Sequence, residues 1–408
     1  MRSSKLEEEL TVNLLYSAFI REESESKGAF KKVLAQSLTF NDQFDNVFIY
    51  VTKKSESVLY ILKDNTPQLI KSFKYNTIPI YEGSNKIKRF FRYFPYKSFL
   101  NAMDKVIMNY NIDILYYRLS LPTRNLMSIM KNKKLVKIVE IPTYPYEKEY
   151  KISNRKFEYH FFVKNGYKKI FDLADIVVAV SAEKNLKVDE KFILITNGIQ
   201  LDSVRVKKQN KKNYLNLLSI ANVAFWHGYD RIIKGLYEYY KTNPQKEIYY
   251  HCVGEGPELT NLKKLTKELN LEKYVIFHGI KTGEDLDKVF DESDIALGSL
   301  GLHRISAGSP LKNREYCAKG IPFVISYEDL DFPETFPFVY WIPKDDTPVD
   351  ISQLIQWYEN LVKEHPNYSM EMRKYAEENL SWDAKMKPVI EKMKELVEKM
   401  WFFFNLYG

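Results

Sequence analysis

Apolar positions along the chain form two kinds of run, and their order predicts a repeated strand–helix arrangement. Short runs of about four to eight apolar residues indicate buried strands, whereas apolar residues three or four positions apart indicate helices. Ile232, Ile233, Leu236 and Tyr240 have the helical spacing within residues 229–240. The two patterns alternate from residue 10 to 195 and again from 215 to 326. This alternation predicts an α/β protein with two mostly parallel sheets.

A polar segment separates the two series. It runs from Gln200 to Lys212 and ends in Lys207-Lys-Gln-Asn-Lys-Lys212, with no apolar period. Such composition is typical of a linker between domains. At 408 residues the chain is long enough for two domains, and 45% hydrophobic residues fits a folded globular protein.

One helix in the second series has an unusual first turn. Ser309 is a favourable N-cap, Pro310 suits the first helical position, and Gly320 follows the helix before the strand-like run Ile321–Ser326. Lys312 lies in the first turn, where the helix dipole disfavours a cation by about 0.3–1 kcal/mol unless an anion is bound. Two interpretations stay open: an anion site that uses Lys312 and the amides near Gly308, or a solvated pair of Lys312 with Glu315.

The same stretch resembles the signature region of retaining GT-B glycosyltransferases of the family 4 type. Glu315 corresponds to the family's second acid, and Cys317-Ala-Lys-Gly-Ile-Pro322 corresponds to the segment that follows it. The resemblance implies that Glu315 binds the nucleotide ribose and Lys312 the phosphates. The family's first acid, which holds the transferred sugar, is replaced by Ala307. The residues expected to bind the donor in this stretch are Gly308, Ser309, Leu311, Lys312 and Glu315.

Further matches cover about residues 215–326. They are Val253-Gly-Glu-Gly-Pro257, Phe277-His-Gly279 and Ser293-Asp-Ile-Ala296. The family carries an arginine and a lysine in the loop before Gly228, where this chain has Asn222 and His227. The resemblance therefore implies that Asn222 and His227 line the diphosphate site. Either Arg231 or Lys312 is expected to supply the missing cation, and Lys312, Glu315 and Arg231 are the expected catalytic residues.

In the first series, three residues are candidates for binding the acceptor. Gly28 opens a helix after the strand-like run Leu10–Phe19, and the resemblance implies that this loop approaches the acceptor. Arg118 and Glu140 stand at the ends of predicted strands, and ligands of open α/β sheets bind beyond the carboxyl ends of strands. For Glu140, burial with a backbone partner is an equally good interpretation.

Charge and composition restrict the partners. The net charge is +8, but the basic residues are dispersed, which suits an acidic substrate or an anionic membrane surface better than a nucleic acid. The segment Lys86–Phe94 interleaves basic and aromatic residues, as expected either for a membrane surface or for a core-facing aromatic stripe with solvated lysines. The two cysteines and the apolar-poor N-terminus predict a reduced, cytoplasmic protein. The membrane interpretation of Lys86–Phe94 would place it peripherally at the inner face of the membrane.

These observations predict an α/β protein of the GT-B fold, with two Rossmann-like domains facing a cleft. The expected domains are residues 1–206 for the acceptor, 207–382 for the nucleotide sugar, and 383–408 as a helix that returns to the first domain. The expected function is retaining transfer from a nucleotide diphosphate-sugar to a lipid-linked glycan in bacterial surface polysaccharide assembly, without a metal or other cofactor. Asp329-Leu-Asp331 and Asp285-Leu-Asp287 have the spacing of a metal-binding pair, a less favoured interpretation. A non-catalytic GT-B subunit is the alternative.

Overall fold

The structure is a computed structural model of the 408-residue chain. It describes residues 11–21, 27–53, 55–75, 93–147, 163–181, 189–202, 204–209, 212–305 and 311–407. The chain divides into two compact units. The first comprises Met1–Ser181, Asn185–Thr196 and Lys385–Gly408, and the second comprises Ala182–Lys184 and Asn197–Ala384.

The first unit is built on an eight-stranded sheet with helices on it. Its strands are β1 Asn13–Arg21, β2 Asn46–Thr52, β3 Glu56–Lys63, β4 Thr66–Lys74, β5 Ile114–Arg118, β6 Val136–Ile141, β7 Ile176–Val180 and β8 Phe192–Ile195. Its helices are α1 Lys27–Asn41, α2 Tyr93–Asn109, α3 Arg124–Met130 and α4 Lys164–Leu173. The strand order is β4-β3-β2-β1-β5-β6-β7-β8, and only the pairs β2–β3 and β3–β4 are antiparallel. The order reverses between β1 and β5.

Burial explains which of these strands the apolar pattern could predict. All five residues of β7 are buried, as expected for a parallel strand covered on both faces. Strand β4 is an edge strand with almost every residue exposed, and it carries Pro67, Lys71 and Lys74, which discourage pairing with another chain. The apolar residues of the sequence instead predict a strand over Ser72–Ile80, of which only residues 72–75 are described, because β4 has no apolar face. The real signal is Asp64-Asn65, whose positive φ values of 50° and 57° are those of a two-residue hairpin turn.

Two prolines lie inside helices of this unit. The sequence predicts a helical region over Ser84–Asn109 with an interruption at Pro95. In the described part of this region, α2 begins at Tyr93 and includes Pro95. Pro95 is the third residue of α2, where its missing N–H has no intrahelical partner to lose. The last helix, α11 (Trp382–Tyr407), contains Pro388 and contributes residues 385–407 to the first unit. There Lys394 Nζ donates to Gln43 Oε1 at 2.8 Å.

The second unit is built on a six-stranded parallel sheet. Its strands are β9 Leu215–Ile220, β10 Ile248–Val253, β11 Val275–Gly279, β12 Ile295–Leu297, β13 Phe323–Ile325 and β14 Val339–Trp341. Its helices are α5 Asp230–Tyr240, α6 Leu259–Glu268, α7 Gly283–Asp291, α8 Lys312–Lys319, α9 Ile351–Glu364 and α10 Tyr368–Asn379. The strand order β11-β10-β9-β12-β13-β14 is the 3-2-1-4-5-6 order of a Rossmann fold. Its crevice for ligands is expected at the carboxyl ends of β9 and β12, where the order reverses.

Helix α8 ends as its sequence predicted. Gly320 has φ 68°, its N–H donates to the Cys317 carbonyl at 3.0 Å, and the Ile321 N–H donates to the Tyr316 carbonyl at 3.0 Å. These two bonds form a Schellman motif, which a left-handed glycine favours. A Cβ at Gly320 would lie 2.5 Å from the Ser369 carbonyl oxygen, so packing also requires glycine here. The motif fixes where β13 starts.

Two Rossmann-like sheets are therefore confirmed. Strand β14 was not predicted because it has only three residues. Helix α9 was missed although its buried residues Ile351, Leu354, Tyr358 and Leu361 have helical spacing. Within the described part of the chain, no helix is long and apolar enough to cross a bilayer.

Candidate active site

The loops that follow β9 and β12 meet at the point where the strand order reverses. The Leu300 N–H donates to the His227 carbonyl at 2.7 Å, which joins the two loops directly. Gly228 has φ 65°, and a Cβ on it would lie 2.5 Å from the Gly301 nitrogen. The close approach of the loops therefore depends on glycine at position 228, both for the backbone conformation and for space.

Gly228→Ala is expected to destabilise the second unit clearly more than Gly279→Ala. Gly279 has nearly the same φ, 66°, but nothing lies within 4 Å of its added Cβ. The left-handed conformation costs both variants about 1 kcal/mol, and displacement of the Gly301 backbone should add roughly 1–3 kcal/mol in Gly228→Ala alone. Thermal unfolding midpoints of the two purified variants measure the difference. Equal midpoints would show that the loops separate without cost.

The turn after β10 holds the β9 loop from the other side. The Val223 N–H donates to the Glu255 carbonyl at 2.6 Å, and the Glu258 N–H donates to the Val223 carbonyl at 3.1 Å. A Cβ on Gly254 would lie 1.9 Å from the Ala221 carbonyl oxygen. The Val-Gly-Glu-Gly-Pro turn thus fixes the loop that carries Asn222 and His227.

Lys312 is a largely buried cation at this junction. Its Nζ donates to the Tyr229 hydroxyl at 3.0 Å and lies 5.6 Å from the centre of that ring. No carboxylate in the described part of the chain lies within ion-pair distance of it. Burial lowers the pKa of Lys312 to about 7, which nearby Cys252 opposes only in part. A lysine in this state gains from the arrival of an anion.

His227 lies beside Lys312 and is neutral at pH 7 in the ligand-free structure. Its Nδ1 accepts the Ala224 N–H at 3.0 Å, and its ring stacks on Tyr229 with centres 5.4 Å apart. Burial, and then the charge of Lys312, lower the pKa of His227 to about 4. The expectation that a diphosphate would favour the charged form stays a prediction, which requires the bound anion to reverse this shift.

Glu315 is placed one turn further along α8. It is partly buried and makes no hydrogen bond or ion pair within the described residues. Burial raises its pKa, against the effect of Lys319, and Asp287 raises it further.

Of the other residues predicted to bind the donor, Leu311 and Asn222 are exposed. Gly308 and Ser309 lie outside the described residues, as does Ala307, so their predicted roles stay predictions.

Arg231 has a different role from the one expected. It is 0% exposed, and its guanidinium donates to the carbonyls of Thr347 at 2.7 Å, Pro343 at 3.1 Å and Leu300. Among the described residues, the carboxylate that it contacts is that of Asp345, at 3.4 Å. Because the guanidinium already donates hydrogen bonds to three carbonyls, Arg231 holds the β12 loop in place rather than facing a ligand. The sequence gave no sign that Arg231, which follows the site loop, is buried in α5 and holds the β12 loop.

Aromatic side chains next to His227 were missed as site residues. Tyr229 holds Lys312, and Phe225 and Trp226 are 47% and 36% exposed. The Trp226 ring lies 5.9 Å from that of His227. The run Phe225-Trp-His227 was the available signal, since adjacent aromatic residues in a loop form an apolar patch of the kind that marks ligand-binding sites when it is exposed.

The acidic pairs with metal-like spacing are engaged by basic side chains. Arg314, buried in α8, pairs with Asp329 at 3.2 Å and also contacts Asp331. Asp287 pairs with Lys319 at 2.7 Å, and Asp285 with Lys288 at 3.2 Å. The described residues include no cluster of three or more His, Cys, Asp or Glu side chains that could hold a metal ion.

In the first unit, Glu140 is fully buried rather than presented to a ligand. Its Oε1 accepts from Arg118 at 2.7 Å and lies 3.2 Å from Lys32 Nζ, and its Oε2 accepts from Gln36 and Tyr116, each at 2.8 Å. Burial alone would raise the pKa of Glu140, but Lys32 and Arg118 lower it to about 2. The structural interpretation of Glu140 is therefore the better one. Arg118 keeps part of its side chain accessible.

The two other first-unit predictions are only partly described. Gly28 is the second residue of α1, and residues 22–26, which contain most of the predicted loop, lie outside the described residues. Most of the basic aromatic segment Lys86–Phe94 also lies outside them.

Comparison with solved structures gives the class of the fold. A glycosyltransferase from Rickettsia africae superposes with a TM-score of 0.59 at 14% identity, covering 96% of this chain and 98% of that one. HepE of Anabaena, crystallised with UDP, gives 0.57 at 11% identity and covers 95% and 100%. Sucrose-phosphate synthase from Thermosynechococcus elongatus gives 0.55 at 12% identity and covers 96% and 99%. The fold is that of GT-B glycosyltransferases.

The family comparison falls on the second unit. Residues 202–377 match the family described as glycosyl transferases group 1, a range that includes β9 to β14 and the Lys312 site. None of the curated protein sequences matches this chain. The prediction from Glu315 and the surrounding motifs is confirmed: the fold is that of GT-B glycosyltransferases, and residues 202–377, within the second unit, match the group 1 glycosyltransferase family.

Proposed function

We propose that the protein transfers a sugar from a uridine diphosphate-sugar to a glycan acceptor, with retention of anomeric configuration and without a metal ion. The observation that carries this proposal is Lys312, a largely buried cation without a carboxylate partner in the described chain, at the switch point of a Rossmann sheet. Uridine is the first choice of base because the similar Anabaena structure is a complex with UDP.

The reaction breaks the bond between the anomeric carbon and the diphosphate oxygen and forms a bond from that carbon to an acceptor oxygen. The acceptor proton passes to the departing diphosphate, so no protein base is required. Negative charge grows on the diphosphate in the transition state, and fixed cations at that place lower the barrier. Lys312 provides one such cation, and His227 a second once it binds a proton.

The remaining donor contacts follow from exposure and charge. Glu315 has free acceptor oxygens for ribose hydroxyls. Asn222 and the backbone near Gly308 and Ser309 complete the phosphate contacts. Phe225 and Trp226 offer an apolar surface beside His227, suited to one face of the donor sugar or of the base.

For the acceptor we propose a lipid-linked glycan used in bacterial surface polysaccharide assembly at the inner face of the cell membrane. The similar structure of a lipopolysaccharide outer core galactosyltransferase, at a TM-score of 0.53 and 12% identity, supports a surface glycan. In the first unit, Arg118 and Lys32 remain partly accessible around Glu140, at the switch point between β1 and β5. These cations would contact the acceptor, and Gly28 would let its loop approach it.

The experiment is a screen of the purified full chain against uridine, guanosine and adenosine diphosphate-sugars. A rise of the unfolding temperature with one base, followed by release of that diphosphate in the presence of membrane extract, supports the proposal. Binding of a diphosphate with no release under any condition would instead support a non-catalytic subunit. Absence of binding to all three would reject the site.

A further inference from the structure

The second unit has a pocket at the amino ends of its strands, and the donor site is at their carboxyl ends. It has a volume of about 590 Å³ and is lined by residues at the amino ends of three strands. These residues are Tyr214 and Leu215 at β9, Lys246 before β10, and Asp294 before β12. Because all six strands are parallel, their amino ends lie at one end of the sheet, and their carboxyl ends, with Lys312, lie at the other. The pocket is therefore a separate place in the same unit.

Two lysines of the linker segment line this pocket. Lys207 is only 6% exposed, and its Nζ donates to the Ser293 carbonyl at 2.7 Å. Lys212 donates to the carbonyl of Glu292 and lies 5.3 Å from the centre of the Tyr214 ring. Both ammonium groups thus face the C-terminal end of α7, where carbonyl groups favour cations. Each ammonium group uses one of its three N–H donors in this capping, and two donors remain for a ligand.

The two ammonium groups are held near each other because they bind carbonyls of consecutive residues. Within the described chain, neither has a carboxylate at ion-pair distance. The other charges of the pocket do not compensate them fully. Glu359 pairs with Lys246, and Asp294 accepts the Asn216 N–H at 2.8 Å. One positive charge therefore remains in excess. Burial, and the nearby charge of Lys212, hold the pKa of Lys207 down, to about 8, even though Asp294 opposes both.

Apart from Gln209, the rest of the wall is aromatic and apolar. Tyr358 and Tyr368 lie on the α9–α10 side, with their hydroxyls 3.3 Å apart, and Val362 and Pro366 lie between them in sequence. A pocket of this volume is typical for a small-molecule ligand. Its ligand would need an anionic group for the lysines and a ring for the tyrosines.

We propose that this pocket binds a small phosphate monoester that carries a ring, with the phosphate between Lys207 and Lys212 and the ring against Tyr214 and Tyr358. A sugar phosphate and a nucleoside monophosphate share this chemistry. The pocket is independent of the proposed transfer reaction, and a ligand bound there would stabilise the linker segment against α7 and α9.

Calorimetric titration of the full chain with glucose 1-phosphate, AMP and inorganic phosphate tests the proposal. At least one ring-bearing probe should bind more tightly than inorganic phosphate. Lys212→Gln should weaken that binding about tenfold, the usual effect of losing one charged hydrogen bond. Lys208→Gln is the matched control, since Lys208 is the exposed neighbour of Lys207 and does not line the pocket. Comparison of glucose 1-phosphate with AMP shows whether the pocket prefers a sugar phosphate or a nucleoside monophosphate.

Two further variants keep the test decisive. Val362→Trp fills the pocket from a position that is already 38% exposed, so it should abolish binding while the protein stays folded. Lys312→Met should leave binding of the probe unchanged, although it weakens UDP. Equal affinity in wild type, Lys212→Gln and Val362→Trp would overturn the proposal. The proposal would also be overturned if UDP competed with the probe and Lys312→Met lost probe binding, because the probe would then be in the donor site.

Discussion

Lys312→Met is expected to weaken the binding of UDP roughly 10- to 100-fold, the usual effect of removing a charged hydrogen bond from a desolvated site. Turnover with the donor sugar should fall further, by about 100- to 1000-fold in kcat/KM, because charge builds up on the diphosphate during transfer. Methionine keeps an apolar stem of similar length against Tyr229 and removes the ammonium group with its charge and its hydrogen bond to the Tyr229 hydroxyl. Isothermal titration with UDP and steady-state kinetics measure the two effects.

The same substitution separates a binding role from a structural one. A largely buried ammonium without a carboxylate partner costs stability, so ligand-free Lys312→Met should unfold at an equal or higher temperature than wild type. Lower affinity together with undiminished stability is the pattern of a residue kept for its ligand. If Lys312 only supported Tyr229, its loss would lower the unfolding temperature and leave UDP affinity intact.

Lys234→Met is the matched control. Lys234 is in the same unit on α5, and its Nζ pairs with Asp230 at 2.9 Å on the surface. A surface pair contributes little to stability, and its loss should change neither UDP affinity nor turnover. A comparable fall in both variants would mean that general positive charge, rather than the placement of Lys312, attracts the nucleotide.

The fold was readable from sequence wherever burial imposed a pattern. Strands β1, β7 and β9 are mostly buried and mostly apolar. Gly320 marked the end of α8 because both its backbone conformation and its packing require glycine. Strand β4 is exposed along its length, so no apolar pattern marks it. Where elements are short or exposed, the tertiary context decides, and sequence carries little signal.

The candidate site was predicted less completely, and charge explains why. Lys312 was identifiable because a cation is unfavourable in the first turn of a helix, and this conflict indicated a ligand. Arg231 and Glu140 are also charged residues near the expected positions. In the structure their charges are satisfied inside the protein, Arg231 by three carbonyls and Glu140 by Lys32 and Arg118. Sequence gives a charge and its approximate place, but it does not show which internal partners neutralise it.

The second large effect is a loss of nucleotide affinity as the pH rises above 7. Burial lowers the pKa of Lys312 to about 7, so the ligand-free lysine releases its proton as the pH passes that value. A bound diphosphate favours the charged form and raises the pKa in the complex. Binding of UDP above pH 7 must then be accompanied by uptake of up to one proton. Affinity should fall up to tenfold per pH unit between pH 7 and about 8.5.

Of the other groups, His227 adds to this proton uptake to the extent that the bound diphosphate raises its pKa into this range. The second ionisation of a terminal phosphate is near pH 6, and the pKa of His227 is about 4 in the ligand-free protein. Burial raises the pKa of Tyr229 and of Cys252, the nearest other titratable groups, so neither should ionise there. Titrations at pH 8.5 in two buffers with different heats of ionisation give the number of protons taken up.

Stability of the ligand-free protein should change in the opposite direction over the same range. The pKa of Lys312 is lower in the folded state than in the unfolded chain, so the unfolded chain binds more protons between pH 7 and about 10.5. The contribution of this residue to stability therefore rises with pH while UDP affinity falls. Lys312→Met should remove both slopes, and Lys312→Arg, which stays charged, should bind UDP with little dependence on pH. A wild-type affinity that is constant from pH 7 to 8.5 would show that Lys312 does not receive the diphosphate.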